Sequence, residues 1–381
     1  MSLWTIVLRS LAQRRLSSIL TAASIALGVA VTVAVLALKA QAREGFRQSA
    51  VSHDLVVGAK GSRLQLVLNT VFHLDRSPGN IPRALADRLA TDRRVKSAVP
   101  ISLGDVHQGH RVVATTNAFF DGLPLAAGAL FKGEFQAVLG SRVAGALGSK
   151  LQVRHGGETG ETHAETWTVV GTLAPTGTAV DRAIYIDFES FYHIAEHAQP
   201  DQISAVLVRT RGFSATKDLA FDLNRGTEAM AVEPAEVVVE LFEMVGQIDI
   251  LLLAVAGLVI AVAAVSILVS IYNSMAERRR SIAIMRALGA RRLQILSIVV
   301  LEAKLLSLIG GAAGLLLGHL LVAAAGGVLA ARAGVAVSAW AVRPEEFLVL
   351  IGVVALGGLA GVIPAVRAYR TDIADGLSPT S

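Results

Sequence analysis

Four stretches of this chain, residues 19–38, 250–271, 293–321 and 347–366, are mostly apolar and about 20 residues long or longer. A helix needs that length to cross the roughly 30 Å hydrocarbon core of a bilayer. Inside lipid every backbone N–H and C=O must find its partner within the protein, so isolated apolar runs of this kind become helices. Hydrophobic residues make up 53% of the 381 positions, too many for an ordinary soluble domain. The expected fold class is an α-helical membrane protein with four transmembrane helices, one followed by three. An α+β two-lobed extracytoplasmic domain stands between the first and second.

The charge is distributed as topology requires. The net charge is +5, but acids slightly outnumber bases between residues 39 and 247. The excess lies in Arg9, Arg14 and Arg15 before the first run and in the segment 277–292 between the second and third. Short basic loops stay on the cytoplasmic side. With 277–292 inside and four spans, both termini are cytoplasmic and residues 39–247 lie outside. Basic residues without interleaved aromatics do not describe a nucleic-acid binder. The first run also has features of a cleaved signal, with a basic start and Ala40-Gln41-Ala42 after it. Its length exceeds a usual signal core, and residues 1–18 are themselves amphipathic, with Leu3, Trp4, Val7, Leu8 and Leu11 on one side. It is read as a retained span.

The basic segment carries more than topology. Arg278, Arg279, Arg280, Arg286, Arg291 and Arg292 stand against the single acid Glu277, while Ile282, Ile284, Met285 and Leu288 recur at helical spacing. Gly289 falls where a helix would be capped. The spacing describes either a solvated basic loop or a short helix with a docking face. The segment resembles the loop between the second and third spans of MacB/FtsX/LolC-type ABC permeases, where Arg-Ala-Leu-Gly-Ala belongs to the coupling helix that engages a cytoplasmic ATPase. That resemblance implies ATPase-coupling roles for Arg280, Ile284, Met285, Arg286, Ala287, Leu288, Gly289 and Ala290.

Between the first two spans, the pattern predicts a helix over 81–93 and a strand over 95–102. It then predicts a short helix over 142–147, an extended stretch over 150–154, strands over 167–173, 183–187 and 205–210, and a helix over 214–224. Residues 125–182 form the more β-rich insertion. Gly140-Ser-Arg-Val-Ala-Gly-Ala-Leu-Gly148 and Thr168-Val-Val-Gly171 are similar to stretches of the MacB-type extracytoplasmic domain. The resemblance covers nearly the whole chain and divides it into three. Residues 1–46 are the amphipathic helix and first span, 47–245 the MacB-like domain, and 246–381 the remaining spans with their coupling loop. The chain departs from MacB in having no ATPase domain, and from FtsX in its larger external domain.

The family implies a permease subunit that transmits ATP-driven motion from a separate ATPase to its external domain, in handling lipoproteins, peptides or small molecules. The alternatives are an ATP-independent membrane receptor or an FtsX-like regulator of cell-wall hydrolases. The implied location is the bacterial inner membrane. Implied partners are a cytoplasmic ATPase dimer, a second copy or a similar permease, membrane lipid, and a periplasmic or outer-membrane protein. ATP and Mg would sit on the ATPase, with no cofactor bound directly.

No Gly-x-x-x-x-Gly-Lys-[Ser/Thr] loop occurs, and neither does a Gly-x-Ser-x-Gly elbow or a His-Glu-x-x-His pair. With no cysteine, disulfides and thiolate metal sites are excluded. Eight of the nine histidines lie between the first two spans, and no metal site is expected. His107 with His110 and His193 with His197 are the weak candidates by spacing. Glu302 and Lys304 are costly inside the third run and are read as structural partners of the segment's arginines. Gly310, Gly314 and Gly318 repeat every four residues, a stripe that lets a second helix approach closely. The Asn69–Pro82 segment has neither period and is read as a buried connector, with an exposed loop that contacts substrate or a partner as the alternative.

Overall fold

A computed structural model describes residues 3–156, 160–194, 201–277, 284–285, 289–333 and 337–370. Its chain divides into two compact units, one helical (Met1–Ala40, Gly246–Gly327 and Val337–Ser381) and one α/β (Gln41–Val245 with Val328–Ala336).

The helical unit begins with α1 (Leu3–Gln13), which buries Val7 and Ser10 and leaves Trp4 and Leu8 exposed. After a break at Arg14 the chain enters α2 (Arg15–Ala50). Among the described residues, three helices are long and apolar enough to cross a membrane, over Arg15–Ala50, Leu293–Val328 and Pro344–Val362. The second expected span, 250–271, lies within a helix that runs over Pro234–Glu277, whose apolar stretch among the described residues is the shorter Gly257–Asn273. Ile25, Val29, Val33, Ile267, Ile271, Val299, Ala303 and Val353 make the core of this unit.

In the α/β unit the elements follow in the order β1 (Leu55–Gly58), α3 (Arg63–Thr70), β2 (Ile81–Pro82), α4 (Arg83–Thr91), β3 (Val95–His107) and β4 (His110–Thr115). Next come β5 (Leu125–Gly128), β6 (Gln136–Leu139), β7 (Lys150–Leu151), β8 (Arg154–His155), β9 (Trp167–Leu173), β10 (Ile184–Asp187) and α5 (Phe188–Tyr192). The unit ends with β11 (Gln202–Ile203), β12 (Ala205–Thr210), α6 (Phe213–Arg225) and β13 (Met230–Val232). From there α7 (Pro234–Glu277), α8 (Arg292–Ala333) and α9 (Pro344–Arg370) complete the chain.

Among the described residues one sheet of 11 strands runs β13-β1-β12-β3-β4-β10-β6-β9-β5, with β7 on β9 and β8 on β3. Its pairs are antiparallel except β4/β10 and β6/β9. Strand residues alternate between two cores, as the two-residue period of a strand demands. Leu55, Val57, Val112, Ala114, Ile184 and Ile186 enter one core, where α4 and α6 contribute Leu85, Leu89 and Leu219. Val56, Val113, Tyr185 and Leu207 enter the other, together with Leu66 and Val67 of α3, Ala50 of α2, and Val237 and Val238 of α7. The sheet is therefore covered on both faces, one of them partly by the ends of two long helices.

Two expectations change. The β-rich stretch 125–182 adds strands to the same sheet, through β6 on β10, and builds no second sheet among the described residues. The short helix expected over 142–147 is a turn. The Arg142 N–H donates to the Asp181 carbonyl and the Gly148 N–H to Val169, so these backbone groups bond across the sheet edge. Gly148, at φ +81°, also breaks any helical run.

Candidate functional site

The basic segment ends in a defined cap. Gly289 has φ +96°, and the Ala290 N–H donates to the Met285 carbonyl at 2.9 Å. A left-handed glycine spanned by this six-to-one bond is a Schellman motif. The next helix starts at once, with the Arg291 N–H bonded to Gln294 Oε1 at 2.8 Å, half of a capping box. Ile284 is exposed. Arg280, Arg286, Ala287 and Leu288 lie outside the described residues, as do Ile282 and Arg278–279.

Glu302 on α8 is buried and accepts a hydrogen bond from Ser10 Oγ of α1 at 2.8 Å. This contact ties the amphipathic helix to the helical unit. Lys304, two residues on, is exposed and runs its stem beside Gly358 of α9. The two charges therefore point different ways, as a separation of two residues on a helix requires.

The glycine stripe faces α2. A Cβ added at Gly310 would stand 2.8 Å from the Ala22 carbonyl oxygen. One at Gly314 would meet Ala26 O at 2.7 Å, and one at Gly318 would meet Ala30 O at 3.1 Å. No real Cβ fits at the first two distances, so glycine alone permits this approach, and it occurs within one chain. On the opposite helix pair, Gly361 of α9 repeats the device against Ala303 of α8.

Sequence reading did not single out His319, the residue after Gly318. Its Nδ1 faces the Ala339 carbonyl at 2.7 Å and its Nε2 faces Glu346 Oε2 at 3.0 Å, with Trp340 stacked on the ring. A carbonyl accepts only, so Nδ1 carries a proton. Nε2 and the carboxylate face each other at hydrogen-bonding distance. Only the packing of the α8 and α9 regions brings these residues together.

In the α/β unit a cavity of about 450 Å³ is lined by His73, His110, Arg111, Arg142 and Arg182. His73 is buried, and its pKa is pushed down to about 3 by burial first and by the Arg182 and Arg111 charges second. Burial likewise lowers Arg111 and Arg182 from the usual arginine value. The connector from residue 69 supplies this histidine: Val71, Phe72 and His73 are buried, while Asp75 and Arg76 are exposed.

The histidines chosen by spacing go to separate partners. His107 Nδ1 meets the Gln152 carbonyl, His110 Nδ1 the Arg182 carbonyl, and His193 Nδ1 Glu134 Oε2. His197 lies outside the described residues.

The fold and these contacts describe a multi-pass membrane protein carrying an α/β domain between membrane helices. The chain belongs to the FtsX-like permease family with a MacB-like periplasmic core domain. The periplasmic core model matches residues 18–225, and the FtsX-like permease C-terminal model matches 253–373. It is 35% identical over 139 residues to an uncharacterised ABC transporter permease of Methanocaldococcus jannaschii, covering 36% of this chain and 34% of that one. It is 31% identical over 195 residues to the macrolide export ATP-binding/permease protein MacB of Rhodopirellula baltica, covering 51% and 26%. The chain thus matches about a third and a quarter of the length of these curated relatives. The crystal structure of the periplasmic region of MacB from Actinobacillus actinomycetemcomitans aligns at a TM-score of 0.33 and 13% identity, over 50% of this chain and 92% of that one.

Proposed function

We propose that the chain is the permease subunit of an ABC system that works by mechanical transmission, with its ATPase on a separate polypeptide. Segment 277–292 docks on that ATPase, which holds ATP and Mg, and nucleotide-driven closure moves the helices attached to the segment. Residues 39–247 act outside a bacterial inner membrane, and both termini are cytoplasmic. This places four spans in the membrane, with the apolar part of α7 as the second.

The observation that carries the reading is the continuity of α2 and α7. At 1.5 Å per residue, their 36 and 44 residues extend about 54 and 66 Å, far beyond a roughly 30 Å hydrocarbon core. Their outer ends belong to the sheet's own core. The Phe46 ring of α2 lies 4.6 Å from Phe72 and 5.8 Å from Phe242 of α7. Lys217 and Arg63 add ion pairs to Glu236 of α7, each worth little at an exposed site, so the apolar contacts carry the grip. Movement of either helix would be delivered to the sheet without an intervening loop.

ATPases of this class work as pairs, so two permeases are expected, either identical or similar. The exposed apolar residues Leu16, Leu20, Val262 and Val265, along a groove between α2 and α7, support a seam there. The test is affinity purification of the full chain from native membranes. Wild type should bring down a Walker-A ATPase, and Leu288→Asp should lose it while still inserting. An ATPase held equally by the variant would overturn the docking assignment, and none with wild type would overturn the permease mechanism.

A further inference from the structure

We propose that Asp105, His155 and His163 form a binding site for one divalent first-row transition cation, zinc foremost, with a coordination position left open. The α/β unit builds the site from strand register. Asp105 of β3 lies directly opposite His155 of β8, so the two side chains share a face of the sheet. His155 and His163 stand on the two arms of a hairpin, where the His155 N–H donates to the Glu161 carbonyl and the His163 N–H to Val153. Residues 153, 155, 161 and 163 therefore share that face, while Arg154, paired with Thr162 and Val106, belongs to the other.

The distances suit a metal better than a direct ion pair. Asp105 Oδ1 is 3.3 Å from His155 Nδ1, and Oδ2 is 3.6 Å from His163 Nε2. One ligand atom from each residue falls within 4.8 Å of the others. A good N–H···O bond is shorter, about 2.7–3.2 Å. Tetrahedral zinc, with bonds of about 2.0–2.1 Å, separates its N and O ligands by about 3.3–3.4 Å. The carboxylate is fully buried and His163 nearly so, whereas His155 is half exposed. The cluster thus has a buried carboxylate floor and a solvent-facing imidazole through which a cation could enter.

The donor set selects the metal. Two imidazoles and one carboxylate suit zinc and its neighbours, whereas Mg and Ca demand a shell of oxygens. Three protein ligands leave a fourth position for water or for a donor on a bound molecule. A bound ion would also pin residues 153–156 and 160–163 to β3. Neither histidine was chosen by spacing, because seven intervening residues match no familiar ligand motif.

The test uses the untagged full chain in detergent, stripped with EDTA and titrated with zinc chloride by calorimetry and with cobalt chloride by visible absorption. Wild type should bind one equivalent at micromolar affinity or tighter, with the intense cobalt bands of a four-coordinate site. His155→Ala, at an exposed position, should fold normally and bind at least about tenfold more weakly. Asp105→Asn should lose binding, whereas His107→Ala should keep it. Absence of binding by wild type would overturn the proposal, as would an unchanged titration for His155→Ala. Octahedral cobalt spectra would overturn the open four-coordinate geometry.

Discussion

The α/β unit and the helical unit bury their chains by opposite means. In the sheet, large side chains fill two cores by strict alternation, and Trp167 and Tyr185 are wholly buried. In the helical unit the closest approach depends on missing side chains: α2 and α8 meet through Gly310, Gly314 and Gly318. The difference follows from solvent. Water drives apolar bulk into the α/β cores, but lipid gives spans no such drive, so close van der Waals approach must replace it.

The largest test of the comparison is Trp167→Ala. Its cavity on the sheet should cost about 3–5 kcal/mol, measured by denaturant unfolding of the full chain in detergent. A loss below 1 kcal/mol would mean that the sheet does not rest on bulk. Gly314→Val tests the other half. The new side chain would collide with Val29 and the Ala26 backbone, costing about 3 kcal/mol, whereas Gly352→Ala on α9, with open space around it, should stay within about 0.5 kcal/mol. Equal effects at the two glycines would break the small-residue account of the helical unit.

His73 sharpens the comparison through pH. Its folded pKa of about 3 lies below the ordinary 6.5, so the unfolded chain takes up a proton first as pH falls. This contribution to stability is full above pH 6.5 and declines towards pH 3, with a loss of about 2 kcal/mol by pH 5. His73→Phe should remove that part of the acid sensitivity, and parallel pH curves for wild type and variant would refute it. The smallest expected effect is Ser10→Ala, about 1 kcal/mol, from removing one donor to buried Glu302. Proteolysis of α1 in detergent should rise with it, and unchanged protection would show that this bond does not hold α1.

Legibility differed between the units for the same physical reasons. Strands β9 and β12 match the expected 167–173 and 205–210 residue for residue, because period-two alternation is a local property. Helix 142–147 failed because backbone donors at Arg142 and Gly148 found partners across the sheet, which local pattern does not encode. Gly289 was legible as a cap, since a left-handed turn selects glycine by itself.

By itself the sequence determined that apolar runs of spanning length exist, that the basic charge gathers between two of them, and that a sheet domain interrupts the series. These follow from composition and period, which read along the chain. Only the tertiary structure decided which helix the glycine stripe faces, that Ser10 serves Glu302, that His319 meets Glu346, and that Asp105 lies between two histidines some 50 residues away. Each is a contact between distant segments, set by register and close packing, and no spacing along one strand or helix contains it.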